Sequence, residues 1–322
     1  MKIGITMGDP SGIGPEIIVR ALALSPPELR ARCVFFGDPL VLARAGGLPQ
    51  EVEVVATSRL SEEESRPGRP TLAGGAAQVA CLEMAAVHAR QGKLGALVTA
   101  PISKAQARAA GFPFPGHTEF LAARLGAAEH AMMFVGPRLR VVLSTIHVPL
   151  AEVGRALSSE AVGRAIYLGG RSLAMDFGID QPRIGVVALN PHAGESGLLG
   201  NEEELVISPG MVIGRSRLER EGIAATLGGP LVPDAAFRAA VHGAWDLLVA
   251  MYHDQALIPI KLVDFDSSVN MTLGLPIVRT SPDHGVGYDI AGTGVARHES
   301  FKAALDLAFT LAAHVGRISH SD

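Results

Sequence analysis

Aromatic residues and cysteine are both scarce. The 322-residue chain has one Trp, three Tyr and two Cys, and aromatics make up 5% of it. A core must therefore be built from aliphatic side chains, as in parallel sheets covered by helices. Cys33 and Cys81 sit in apolar surroundings without Cys-x-x-Cys spacing, which argues against a disulfide framework or a thiolate zinc module and suits a reducing compartment. Basic blocks are missing too. Lys and Arg number 28 against 32 Asp and Glu, for a net charge of −4, and no aromatic–basic alternation exists, so nucleic acid is disfavoured as a partner. The start, MKIGITMGDP, lacks the apolar segment of a signal peptide, and no apolar run approaches membrane-spanning length. The expectation is a soluble cytoplasmic protein with no membrane partner. The glycines of MGDPSGIGPEII match neither G-x-G-x-x-G nor the phosphate loop G-x-x-x-x-G-K-[ST], so neither nucleotide fingerprint applies.

What remains is ample core material: 48% hydrophobic and only 19% charged residues. At this length two packed lobes are expected. Strand-like runs occur at 2–6, 33–37, 51–55, 96–100, 140–145, 183–189 and 247–251. Between them lie helical patterns such as 76–91, with Val79, Leu82, Ala86 and Val87 on one face and Gly92 as a stop, and 299–315, with Phe301, Leu305, Ala308 and Leu311. This alternation predicts βαβ units and a largely parallel sheet. The polar segment SEEESRPGRP (61–70) reads as a mobile surface loop.

The chemistry concentrates where apolar runs stop. His147, His192 and His253 each follow a strand-like run at a break marked by Pro, Gly or a polar cluster, which is where α/β proteins place ligand-binding side chains. Singly, each reads as a structural histidine; together, three neutral imidazoles would hold a divalent metal and leave positions open. Asp254 adjoins His253, and Asp234 lies in GGPLVPDAAF; either carboxylate could bind the metal, orient an imidazole or accept a proton. PGHTEF places His117 and Thr118 in a loop before a helix start, suited to anion recognition and equally to capping. Lys261, Asn270 and Arg279 could grip a phosphate or carboxylate, or be ordinary surface residues. The glycines of DHGVGYDIAGTG could hold the adenine-ribose end of a dinucleotide, or only make a flexible loop.

The segments MGDPSGIGPE, TAPISK, PGHTEF, NPHAGESGLLGNEE, GPLVPDAAF, AMYHDQ and VNMTLGLPIVRTSPDHG run in order over nearly the whole chain. Together they resemble the 4-hydroxythreonine-4-phosphate dehydrogenase family of vitamin B6 biosynthesis, and DHGVGYDIAGTG resembles the cofactor loop of isocitrate and isopropylmalate dehydrogenases. The resemblance implies two α/β/α lobes with largely parallel sheets: residues 1–125 plus 265–322, and 126–264 carrying the metal ligands and dimer contacts, with the active site in the cleft between. It implies NAD(P)-dependent oxidation of 4-phosphooxy-L-threonine and decarboxylation to 3-amino-2-oxopropyl phosphate. It further implies a divalent ion (zinc, magnesium, cobalt or manganese) on His147, His192 and His253, one of them supplied across a homodimer interface. His117, Thr118, Lys261, Asn270 and Arg279 would bind the phosphorylated substrate, and His284, Gly285, Asp289 and Gly292 the NAD or NADP. Asp234, Asp254 and Lys261 are candidates for the general base. Two features depart from the family pattern: a shortened 57–80 region and Val286-Gly287-Tyr288 after DHG. The rival readings are a paralogous 4-phospho-D-threonate or 4-phospho-D-erythronate dehydrogenase and, from another class, a metal-dependent hydrolase or lyase.

Overall fold

Runs with no polar face, such as CVFFG and LGALVT, become strands buried along their whole length, as a sheet covered on both sides requires. A computed structural model of the protein describes residues 1–318. In it the strands are β1 (Lys2–Thr6), β2 (Cys33–Gly37), β3 (Glu53–Ala56), β4 (Leu94–Thr99), β5 (Ala131–Val135), β6 (Arg140–Leu143), β7 (Arg183–Val187), β8 (Thr226–Leu231), β9 (Leu247–Ala250), β10 (Val269–Leu273) and β11 (Val278–Pro282). The chain forms two compact units, Met1–Ala128 joined by the chain from Leu275 onward, and Glu129–Gly274.

In the first unit the strands lie in the order β3-β2-β1-β4-β11 and every pairing is parallel. Its core is aliphatic and phenylalanine-rich: Ile3, Ile5, Phe35, Phe36, Ile17, Ile18, Phe301 and Leu305 are fully buried. The second unit has the order β10-β5-β6-β9-β7-β8, with β10, β5 and β6 antiparallel and the rest parallel. The division was expected after residues 125 and 264; it falls instead after Ala128 and Gly274. The physical reason is β10, whose Asn270 pairs with Phe134 and Thr272 with Met132 on β5.

Two further expectations change. Segment 61–70 is pinned, because Ser65 is fully buried and receives the Arg44 guanidinium on its hydroxyl at 3.1 Å, while Gly68 N–H donates to the Ser11 carbonyl at 2.8 Å. The helix Leu72–Arg90 is long and apolar enough, by length and composition, to cross a membrane, contrary to the expected absence of such a run. It begins earlier than the apolar spacing suggests because Thr71 caps it, accepting from Gly74 N–H at 3.0 Å. Half of its apolar window is buried inside this protein, with Cys81, Leu82, Ala85 and Ala86 in the core.

The feature of the second unit that matters for chemistry is its central triplet. β6, β9 and β7 are parallel neighbours, with Leu143 beside Ala250 and Val186 beside Val249, so their carboxyl ends emerge on one edge. Beyond the strands the chain is stitched by buried side chains. Thr145 Oγ1 donates to the Met251 carbonyl at 2.7 Å. Gln255 accepts from Met251 N–H at 2.7 Å and donates to the Ala188 carbonyl at 2.8 Å. One glutamine thereby ties the segment after β9 to the segment after β7. Replacing Gln255 by Leu would leave a buried amide and a buried carbonyl unpaired, at about 1–3 kcal/mol each. Urea unfolding is expected to show a loss of roughly 2–5 kcal/mol; a midpoint within error of the parent would refute this role for the stitch.

Candidate active site

The three histidines lie just past the ends of that triplet: His147 beyond β6, His192 beyond β7, and His253 as the first residue of the helix His253–Asp264 that follows β9. The rings of His147 and His253 stand with centroids 5.6 Å apart at 44°. Two imidazoles sharing one ion at about 2.0–2.1 Å from each donor nitrogen hold their ring centres roughly 5–6 Å apart, so this pair fits a common cation. The Nδ1 of His253 lies 2.7 Å from Asp254 Oδ1, a carboxylate–imidazole contact of the kind that fixes a ligand's orientation and leaves Nε2 outward. Asp254 thus has a structural partner on the histidine before it. Asp234 is exposed in the first turn of the helix Pro233–Val241.

His192 stands apart from this pair. Among the described residues no group of three His, Cys, Asp or Glu side chains is gathered for a metal. His192 is exposed, and its Nδ1 lies 3.1 Å from Glu195 Oε2. It opens a run in which His192, Ala193, Gly194, Glu195 and Ser196 all have positive φ, between 44° and 78°. Four of these are not glycine, and each such residue costs on the order of 1–3 kcal/mol unless its surroundings impose the conformation. The family-like block NPHAGESGLLGNEE contains this run, but nothing in its composition announces a left-handed backbone.

The first unit assembles a second polar cluster. His117 and Thr118 are the first two residues of the helix His117–Leu125, not residues of a loop before it. His117 Nε2 is shut from solvent without a hydrogen-bond partner. Burial, with the positive charges of Arg279 and Lys104 adding to it, holds this imidazole well below its ordinary pKa. Arg279 on β11 is itself buried and donates to Thr99 Oγ1 at 2.6 Å; burial lowers it to about 10, with Glu119 acting in the opposite direction. A neutral imidazole, a hydroxyl, a guanidinium and a helix N-terminus together make a setting for an anion. Lys104, the last residue of TAPISK, belongs to this cluster and was not singled out from the sequence; a lone exposed lysine gives no local signal. Lys261, on the helix that starts at His253, and Asn270 on β10 are partly buried and belong to the second unit.

The glycine-rich loop after β11 is tied down. Ile13 N–H donates to the Val286 carbonyl at 2.8 Å, and a side chain at Gly12 would meet that same carbonyl at 2.7 Å. Tyr288 Oη donates to Asp9 Oδ2 at 2.6 Å. Burial is the largest influence on both groups and raises both pKa values. Gly292 N–H donates to Glu16 Oε2 at 3.1 Å, and Arg20 donates to the carbonyls of Gly294 and Ala296. Gly292 also lines a cavity of about 260 Å³ with Gly12, Glu16, Arg20 and Arg44. Gly285 and Asp289 are exposed, while His284 is partly buried and its pKa is lowered by that burial.

Largely parallel α/β sheets with polar side chains gathered past their strand ends place those side chains where proteins of this class bind ligands. The family model for the pyridoxal phosphate biosynthetic protein PdxA matches residues 29–308, and the chain belongs to that family. It is 45% identical to the 4-hydroxythreonine-4-phosphate dehydrogenase of Desulfosudis oleivorans, over 98% of this chain and 97% of the relative. It is 46% identical to the protein of that name from Geobacter metallireducens, over 97% and 95%. The crystal structure of a 4-hydroxythreonine-4-phosphate dehydrogenase from Klebsiella pneumoniae matches it with a TM-score of 0.85 at 35% identity, covering 97% of this chain and 99% of that one. The protein is an oxidoreductase of this family.

The neutral state of His117 has a pH consequence. Its native pKa lies below the 6.5 of an unperturbed histidine, so on acidification the unfolded chain takes up a proton that the native state refuses. Its contribution to stability is full above about pH 6.5 and is lost as pH falls toward the native value; His284, also lowered, acts in the same direction. Urea midpoints measured between about pH 7.5 and 5 are expected to fall with pH, and His117→Gln to flatten part of that fall. An identical slope in parent and variant would show the assignment to be wrong.

Proposed function

We propose that this protein oxidises the C3 hydroxyl of 4-phosphooxy-L-threonine with NAD or NADP and promotes the decarboxylation that follows, giving 3-amino-2-oxopropyl phosphate. The reading rests on one observation above the others: three adjacent parallel strands each release a histidine at the same sheet edge, in a chain of this family. His147, His192 and His253 would hold a divalent ion, which would supply Lewis acidity, and a nicotinamide cofactor would supply the hydride acceptor. Imidazole donors suit zinc or cobalt better than magnesium.

The chain's own residues do the rest. Asp254 holds the His253 ring so that Nε2 faces outward. Arg279, Lys104 and the helix start at His117 neutralise the substrate's phosphate or carboxylate, and Thr118 adds a hydroxyl donor. His117, kept neutral, donates one hydrogen bond without adding a charge that would trap the product. Lys261 and Asn270 in the second unit offer a cation and an amide for substrate binding. The loop 284–292, fixed through Tyr288, Val286 and Gly292, serves the cofactor; its attachment to Asp9, Ile13 and Glu16 spares it the entropy of ordering on binding.

The working unit in this reading is a homodimer. One chain pairs His147 with His253 but leaves His192 on an exposed segment beside Leu198 and Leu199. Leu205 and Val212 are exposed nearby in sequence, as are Ile258 and Leu262 on the helix that begins at His253 and Phe265 just past its end. Exposed apolar side chains of this kind favour an interface, and a second copy would supply the missing imidazole.

The direct test follows the absorbance of reduced nicotinamide with 4-phosphooxy-L-threonine and, in parallel, 4-phospho-D-threonate, using each cofactor and several divalent ions. Turnover is expected with the first substrate and a divalent ion. Turnover confined to the threonate would favour the paralogous activity, and none with either cofactor would sink the reading. His147→Ala or His253→Ala removes several kcal/mol of Lewis-acid stabilisation, which at about 1.4 kcal/mol per decade predicts a loss in kcat of roughly a hundredfold or more. Undiminished turnover in either variant would remove the histidines from the chemistry.

A further inference from the structure

The strained run that carries His192 needs an anchor, because among the described residues nothing outside its own loop hydrogen-bonds the His192 ring. The ring is exposed, and its Nδ1 contacts Glu195, three residues on in the same run. Where that imidazole points is therefore decided by whatever fixes the loop backbone. The block NPHAGESGLLGNEE ends in two glutamates that the proposed chemistry leaves without a role, and the second of them, Glu203, is buried at 7% exposure.

Its carboxylate is surrounded by the entrance to the run. Oε1 accepts from Leu189 N–H at 2.9 Å and from Asn190 N–H at 2.8 Å, and Oε2 accepts from Asn190 Nδ2 at 3.1 Å. The other hydrogen of that amide reaches Glu202 Oε2 at 2.8 Å. The middle of the run closes over the same group. Gly194 is buried with φ of 78°, and a Cβ there would come within 2.7 Å of Glu203 Oε2. Leu199 N–H then returns to the Gly194 carbonyl at 3.0 Å. Hydrogen bonds to a charged acceptor are stronger than those to a neutral one, and several on one carboxylate can offset several residues of left-handed backbone. We infer that Glu203 is the positioning residue for His192: its buried carboxylate imposes the left-handed run 192–196 and so sets where that imidazole is presented. The inference rests on the proposed role of His192 as a ligand, although the anchoring of the loop can be read without it.

Two measurements on the full-length protein separate the two. Hydrogen–deuterium exchange over 189–200, without added metal, reads the loop. Competition between the protein and a chromophoric chelator for zinc chloride reads the ligand set. Glu203→Gln keeps the volume but presents a donor to the Asn190 amide; Glu203→Ala removes the acceptor altogether. In Glu203→Gln, exchange over 189–200 is expected to rise while the sheet residues keep their protection. Zinc affinity is expected to fall by roughly 10–100-fold, the usual loss for a partner that orients a metal ligand, with a matching fall in kcat and an unchanged KM for the nicotinamide. Glu203→Asp should recover part of both losses. Unaltered exchange in Glu203→Gln would overturn the inference even if Glu203→Ala fails to fold, and so would loosened exchange at parental zinc affinity in a protein whose His192→Ala variant has lost zinc. If His192→Ala binds zinc as the parent does while Glu203→Gln loosens the loop, Glu203 stands as the anchor and the ligand role of His192 falls.

Discussion

The second unit depends on a buried stitch of hydrogen bonds across the carboxyl ends of β6, β9 and β7. Thr145, Met251, Gln255 and Ala188 close it, and each link consumes a backbone group that would otherwise be stranded just past the end of a ladder. Because the stitch is buried, breaking one link costs more than forming it contributes. Three connecting segments are held at fixed spacing as a result, and each carries a histidine. The meeting of His147 with His253 is thus a property of backbone pairing first and of side-chain chemistry second. Where the stitch reaches directly, at His147 and His253, the rings already face each other. Where it does not, at His192, a separate anchor takes over in the form of the Glu203 carboxylate.

The first unit gathers positive charge beside a neutral imidazole in a setting poor in water. Arg279 is buried against Thr99, so its charge acts in a setting poor in water and is stronger for it. A second full charge on His117 would be costly there, and burial together with Arg279 and Lys104 keeps the ring neutral. The neighbouring glycine-rich loop is held by protein contacts. Tyr288, in the loop after DHG, contributes the phenol that binds Asp9.

Much of the fold was legible before any coordinates. β1 and β2 fall on KIGIT and CVFFG to the residue, because fully buried parallel strands read as unbroken apolar runs. Of the strands that escape notice, β10 and β11 owe it to partners distant in sequence. VNMTL and VRTSP carry Asn270, Arg279 and Ser281 inside a sheet, and polar residues in a strand make sense only once their tertiary partners are known. β8, TLGGPL, is an edge strand with two glycines; Gly228 is there because the ring of Trp245 occupies the place of a side chain, which no spacing reveals. The apolar helix Leu72–Arg90 shows the converse, since composition alone does not say what covers its face.

By itself the sequence determined the class of the protein, its family, and the residues able to do chemistry, because histidines after apolar runs and a tyrosine in a glycine loop are local facts. Tertiary structure alone decided which of them meet. It paired His147 with His253, made His117 the first residue of a buried helix end beside Arg279, set Asp254 against His253, and gave Glu203 a loop to hold. The reason is physical: a side chain's proton affinity and reach depend on burial and on neighbours far away in the chain, and those exist only after strands from distant segments have paired in register.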